Sequence, residues 1–139
     1  MLSSKCKIRI RYDEVDKMEY AYHGNYARYY HIGRTELLRK LDISDQQLEK
    51  HNIILPVIEM NSKFIKPVFY DETITILTSL IEDPRSRMKF SHKIFNQNHD
   101  LVNQGYTTVA FVDKIARKPM RVPDTILQKL ELFMNLINQ

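Results

Sequence analysis

The sequence predicts an α+β domain in which one long helix lies against a curved antiparallel sheet. Three observations carry the prediction. Between Tyr26 and Leu41 apolar residues return every three or four positions, the spacing of one helical face. From Leu55 to Asp113 the pattern changes to alternation, in runs separated by turn-forming residues. The chain has 139 residues, a length that buries roughly two thirds of the unfolded surface in one core, so the span 1–139 is read as a single domain.

Residues 5 to 12 set Cys6, Ile8, Ile10 and Tyr12 against Lys5, Lys7, Arg9 and Arg11, which predicts a half-buried strand with its basic side outward. Cys6 falls on the apolar side and reads as a small core residue. In the long helix, Tyr26, Tyr29, Tyr30, Gly33, Leu37, Leu38 and Leu41 share one broad face, with Arg28, Arg34, Glu36, Arg39 and Lys40 mostly off it. Gly33 costs about 1 kcal/mol against alanine in mid-helix, and its use there is close approach to a neighbouring element. Ser44 and Gln47 form a capping box that opens a short helix ending near His51 and Asn52.

Next comes a long strand in which Ile58, Met60, Ser62 and Phe64 oppose Val57, Glu59, Asn61, Lys63 and Ile65, with Pro56 and Pro67 at its ends. Tyr70 to Glu72, Glu82 to Ser86 and Asn96 to Asp100 then read as turns separating Thr73–Ile81, Arg87–Phe95 and Leu101–Asp113, three strands of a meander. Lys114 to Arg121 is a basic loop or short edge segment. Pro123 and Asp124 open an amphipathic helix with Ile126, Leu127, Leu130, Phe133, Met134 and Ile137 on one side.

Composition narrows the function classes. A hydrophobic content of 43% and a charged content of 27% are those of an ordinary soluble protein, and no apolar run approaches a membrane span. The opening MLSSKCKIRIRY has no apolar secretory core. One cysteine excludes an internal disulfide, and cytoplasm is the expected location. A net charge of +4 suits phosphate-bearing small molecules or nucleic acid but is also common among proteins that bind neither, and charge alone favours the latter reading. The chain lacks the aromatic and glycine pattern of an RNA-recognition motif and any helix-turn-helix signature, so nucleic acid is not an expected partner. Its five histidines are scattered without HExxH or His-Cys spacing, so neither a metal nor another cofactor is expected.

The chemistry concentrates before the long helix. Asp13, Glu14, Asp16 and Glu19 lead into His23, Gly24 and Asn25 at the helix junction. A helix start offers free backbone N–H groups and the positive end of the dipole to an oxygen that gains negative charge. A carboxylate on a loop that folds back can face the same spot, an arrangement for attack on a carbonyl.

The run Tyr12-Asp13-Glu14-Val15-Asp16, followed by Tyr22-His23-Gly24-Asn25-Tyr26 and then by Arg34-Thr35-Glu36 and Leu38, resembles the hotdog-fold acyl-CoA thioesterases of the 4-hydroxybenzoyl-CoA thioesterase type. The element order agrees to about residue 127, while the motif residues lie in the first third of the chain. The resemblance implies a sheet wrapped around the helix, subunits paired edge to edge as a homodimer or homotetramer, and sites at the subunit interface. Asp16 takes the position of the family's catalytic aspartate. His23 takes the position whose backbone N–H polarises the thioester carbonyl, its ring being free for a structural role. Arg85 and Arg87 take the positions of a basic turn that meets the CoA phosphates. The implied reaction is hydrolysis of an acyl-CoA to a carboxylic acid and CoA, with an acyl-carrier-protein substrate or a non-catalytic acyl-CoA-binding module as alternatives. Where the family usually has a loop glycine after the aspartate, this chain has Lys17, Met18 and Glu19. Glu36 reads as an ion-pairing residue beside Arg34 and Arg39 rather than a catalytic one.

Overall fold

The computed structural model describes residues 2–137, with side chains described as far as residue 133. Five strands form one antiparallel sheet in the order β1-β4-β5-β6-β3: β1 Ser3–Arg9, β3 Val57–Phe64, β4 Thr73–Leu80, β5 Arg87–Phe95 and β6 Leu101–Ala110. The meander predicted from alternation is β4-β5-β6; the turn leading into it places Asp71 at positive φ, and its β5–β6 turn does the same for His99. The strand expected over Leu101–Asp113 ends at Ala110, and Val112–Asp113 leaves the sheet to pair as β7 with β2 Ile53–Ile54 in a short ribbon; at two residues per strand the ribbon is too short to show a period.

The long helix α1, Tyr26–Lys40, packs on β1, β4 and β5. All seven residues assigned to its inner face are buried. Gly33 sits directly on β4, where a Cβ would lie 2.8 Å from Ile76 Cγ2 and closer still to Thr78 Oγ1. The first half of the helix is aromatic and joins Ile10, Ile74, Ile76, Ile94 and Val102; the second half is leucine-rich and joins Met88, Phe90, Val109 and Phe111. Each such buried side chain contributes about 2 kcal/mol relative to exposure. The short helix α2, Asp45–Lys50, has the expected capping box, Ser44 Oγ accepting from the Gln47 N–H at 3.2 Å. The terminal helix α3, Asp124–Ile137, buries Ile126 and Leu130 on the leucine-rich cluster; Met134 and Ile137, also assigned to that face, have side chains outside the described residues.

Three expectations need correction. Tyr12 is not on the inner face of β1: the strand ends at Arg9 and Tyr12 starts a short 3-10 turn, Tyr12–Glu14, at 78% exposure. Arg34 is buried rather than off the packed face, its guanidinium 2.7 Å from His31 Nδ1, and burial holds its pKa below the usual arginine value. The alternation of β3 does not bury one side of it, because Ile58, Met60 and Phe64 are about half exposed. The reason is position: β3 is an edge strand, with β6 on one flank and no strand on the other. Among the described residues no helix is long and apolar enough to cross a membrane.

Candidate active site

The loop ahead of α1 is fixed by a carboxylate that the motif reading passed over. Glu14 is buried, its Oε1 accepts the Arg11 N–H at 2.8 Å, and its Oε2 accepts the Tyr29 hydroxyl at 2.7 Å. Burial first, then the Glu14 bond and charge, push the Tyr29 phenol far above its ordinary pKa, so it stays a donor. The Glu14 carbonyl also accepts from Asn25 Nδ2 at 2.6 Å and from the Tyr22 N–H at 2.9 Å. The loop is thereby stitched to the opening turn of the helix.

Asp16 follows in a tight reversal. Its N–H donates to the Tyr20 carbonyl, its carbonyl accepts from the Glu19 N–H, and its Oδ1 accepts the Met18 N–H at 2.8 Å. The reversal needs a left-handed residue, and Glu19 supplies it with φ 70°, the conformation that glycine adopts without steric cost. Bridges from Val15 to Ala21 and from Tyr20 to Phe69 hold the returning strand to the segment after β3.

This folding brings Asp16 and His23 to one cavity of about 320 Å³, which Tyr26, Phe64, Lys66 and Pro67 help to line. His23 begins a 3-10 turn, His23–Asn25, that runs straight into α1. Its N–H meets no acceptor among the described residues, as expected of a helix start. The exposed ring leans on Tyr22, centroids 4.3 Å apart, and meets Phe64 edge-on at 6.4 Å. Tyr26 packs edge-to-face on Phe64 at 5.0 Å, and its phenol is pushed up to about 12 by burial and then by the nearby Tyr30 and Glu72. On its other side Asp16 borders an open cavity of about 690 Å³ with Tyr12, Phe69 and Tyr70 in its walls. A larger groove of about 860 Å³ along β1 and the flank of α1 lacks this pairing of carboxylate and helix start: Asp13, Glu14 and Asp71 line it, but from the helix only Arg28, Tyr29 and Ile32 do, and no residue of the His23–Asn25 turn.

Arg85 and Arg87 are exposed, Arg85 in the β4–β5 turn and Arg87 opening β5, and neither lines the cavity with Asp16 and His23. Register gives their separation. Phe64 pairs with Asn103 and Asn103 with Ile94, whereas Arg87 pairs with Ala110 beside Val109, the partner of Val57. The arginines therefore stand near the Val57 end of β3, about 23 Å along the strand from Phe64. Glu36 pairs with Arg39 at 2.6 Å, and Cys6 is half buried on the apolar side of β1, its thiol pKa raised by burial and by Glu36. Among the described residues no three His, Cys, Asp or Glu side chains converge as a metal site would require. Phe64, Lys66 and Pro67 were missed as lining residues because they reach the cavity through the turn after β3, a contact with no local spacing to mark it.

A family model described as the thioesterase-like superfamily matches residues 10–130. YneP of Bacillus subtilis (strain 168) is 30% identical over 118 residues, covering 85% of this chain and 86% of that protein. The acyl-CoA thioester hydrolase YbgC of Escherichia coli O157:H7 is 27% identical over 124 residues, covering 89% and 92%. The DHNA-CoA thioesterase structure from Staphylococcus aureus superposes with a TM-score of 0.91 at 31% identity, covering 99% of this chain and 95% of that one. A 4-hydroxybenzoyl-CoA thioesterase mutant complexed with 4-hydroxybenzoyl-CoA superposes with a TM-score of 0.84 at 19% identity, covering 93% and 99%, a likeness of fold. With its helix wrapped by an antiparallel sheet, its match over residues 10–130 and these relatives, the chain has the hotdog fold and belongs to the thioesterase-like superfamily.

Proposed function

We propose that the chain is an acyl-CoA thioesterase with Asp16 and the His23 backbone N–H as its working pair. The observation that carries the reading is that both border one cavity, the carboxylate on a braced loop and the amide at the start of a helix. The amide donates to the carbonyl oxygen as it becomes an oxyanion, an interaction worth about 3 to 4 kcal/mol in kcat. Asp16 takes a proton from water as it adds to the carbonyl carbon; collapse of the adduct breaks the C–S bond and the departing thiolate is protonated. In the alternative route the Asp16 carboxylate itself attacks the carbonyl carbon and expels the CoA thiolate, which is protonated, giving a mixed anhydride that water opens to the acid and the free carboxylate. Neither route uses a cofactor.

The nucleotide end of the substrate calls for a second subunit. β1 carries Lys5, Lys7 and Arg9 outward, which discourages strand addition, whereas the free edge of β3 carries half-exposed Val57, Ile58, Met60 and Phe64. Two β3 edges paired antiparallel about a two-fold axis set the Val57 end of one beside the Phe64 end of the other. The partner subunit's Arg85 and the partner subunit's Arg87 then approach the cavity of Asp16, where they meet CoA phosphates.

The test is thiol release from a panel of short-chain, medium-chain and aromatic acyl-CoA thioesters, DHNA-CoA among them, with wild type and Asp16→Asn side by side. Wild type turns over at least one thioester, and the variant loses about a hundredfold or more in kcat while keeping its fold, since the asparagine oxygen still accepts the Met18 N–H. Turnover only with acyl-carrier substrates moves the substrate assignment, and binding with no turnover above the variant overturns the enzyme.

A further inference from the structure

We propose that Tyr30 is a positioning residue whose hydroxyl, held by Ser62 and Asn103, fixes α1 against the edge strand β3 and so sets where the His23 N–H stands. The inference rests on the reading of that amide as the oxyanion donor. Side chains of α1 reach the edge strand at two levels whose spacing nearly matches: four residues of helix advance about 6 Å and two residues of strand about 6.6 Å. Successive rungs therefore join Tyr30 to Ser62 and Tyr26 to Phe64, the latter also in contact with His23.

The rungs differ in kind. Tyr26 and His23 meet Phe64 through ring edges, contacts that tolerate sliding. At Tyr30 the hydroxyl lies 2.8 Å from Ser62 Oγ and donates to Asn103 Oδ1, while Asn103 Nδ2 donates to the same Ser62 Oγ at 2.9 Å. This closed triangle spans α1, β6 and β3, and a small shift of the helix breaks two of its three bonds. Gly105 on β6 makes room for it, because a Cβ there would lie 2.6 Å from the Tyr30 hydroxyl. Behind the phenol, the His92 ring stacks on it at 4.4 Å and 8°, itself held by Thr78 at 3.2 Å and Thr107 at 2.7 Å. The ring cannot swing away from the triangle. Tyr30 thus gives the helix a directional anchor toward β3, as Tyr29 does toward the loop through Glu14.

Tyr30→Phe removes only the hydroxyl; Asn103 and Ser62 stay bonded to each other while the buried Asn103 Oδ1 loses its donor, so the variant folds with a somewhat lower melting temperature. Two readouts decide. In the thioesterase assay, kcat falls about tenfold with KM within about twofold, as for a misplaced catalytic donor, and Ser62→Ala falls in the same direction while Ser62→Thr, which keeps a hydroxyl, recovers. Independently of turnover, amide hydrogen exchange from Tyr26 to Gly33 accelerates about tenfold while β4 and β5 amides keep their wild-type rates. A lowered melting temperature with unchanged kcat and uniformly faster exchange overturns the proposal, because that is a stability role alone. If wild type hydrolyses no thioester, the catalytic reading fails, and exchange confined to the helix start, or its absence, still decides whether Tyr30 anchors α1.

Discussion

The stability of the fold should fall in acid through one imidazole. His92 is fully buried between Thr78 and Thr107 with Tyr30 stacked on its face, and burial, with the charge of Arg34 adding to it, lowers its pKa to about 3. In the unfolded chain the same group titrates near its ordinary value of about 6.5. Between those two values the unfolded chain binds a proton that the folded one does not, so stability is full above about 6.5 and is lost as pH falls toward 3. At pH 5 the loss from this group is about 1.5 units at 1.36 kcal/mol each, or about 2 kcal/mol. For a chain of this size that corresponds to about 7 °C in melting temperature. Carboxylates and the other histidines add their own dependence, so the measurement is a difference: urea unfolding of wild type and His92→Gln at pH 7.5 and pH 5.0, at one protein concentration. Wild type loses about 2 kcal/mol more than the variant across that interval. Equal losses in the two proteins, or an imidazole resonance of His92 that titrates near 6.5 in the folded state, refute the reasoning.

Three further outcomes are expected. Glu19→Gly relieves a left-handed residue at 70° and gains about 0.5 kcal/mol after the extra chain entropy of glycine is subtracted, whereas Glu19→Val loses more than about 1 kcal/mol; thermal melts read both. Gly33→Ala drives a methyl group into Thr78 and Ile76 and costs about 1 to 3 kcal/mol by denaturant unfolding. Arg85→Ala/Arg87→Ala raises KM about tenfold for an acyl-CoA but not for the matching N-acetylcysteamine thioester, which has no phosphates. Co-expressed with Asp16→Asn subunits, the double variant forms mixed pairs that regain one intact site, an outcome that fails if the arginines serve their own subunit.

What could be read from the sequence was whatever leaves a period or a local signature. The face of α1, the capping box at Ser44 and the three-strand meander all rest on contacts between near neighbours and all appear, though the last strand of the meander ends at Ala110 and not at Asp113. The placement of Asp16 and His23 on either side of a loop was legible from the motif, because both lie within one short stretch. Glu14 was not: nothing in its spacing announces that a loop carboxylate will be buried under Tyr29. The Tyr30, Ser62 and Asn103 triangle is equally silent, since it joins residues 32 and 73 positions apart. Arg34 was misjudged because helical periodicity assigns a charged residue to solvent, while this one lies at the margin of the packed face and keeps a polar neighbour in His31. Alternation in β3 was correct as a sign of strand, yet within one chain only its Ser62 and Phe64 end meets α1, and Ile58 and Met60 stay about half exposed.

The two borders of the sheet are chemically unlike, and this limits how such chains can aggregate. One margin carries three cationic side chains, Lys5, Lys7 and Arg9, while the other exposes Val57, Ile58, Met60 and Phe64 with one charge of each sign, Glu59 and Lys63, between them. In the proposed pairing each chain spends its β3 margin on one neighbour and keeps only the cationic margin for a third, so growth along the hydrogen-bonding direction would terminate instead of running on into a fibre.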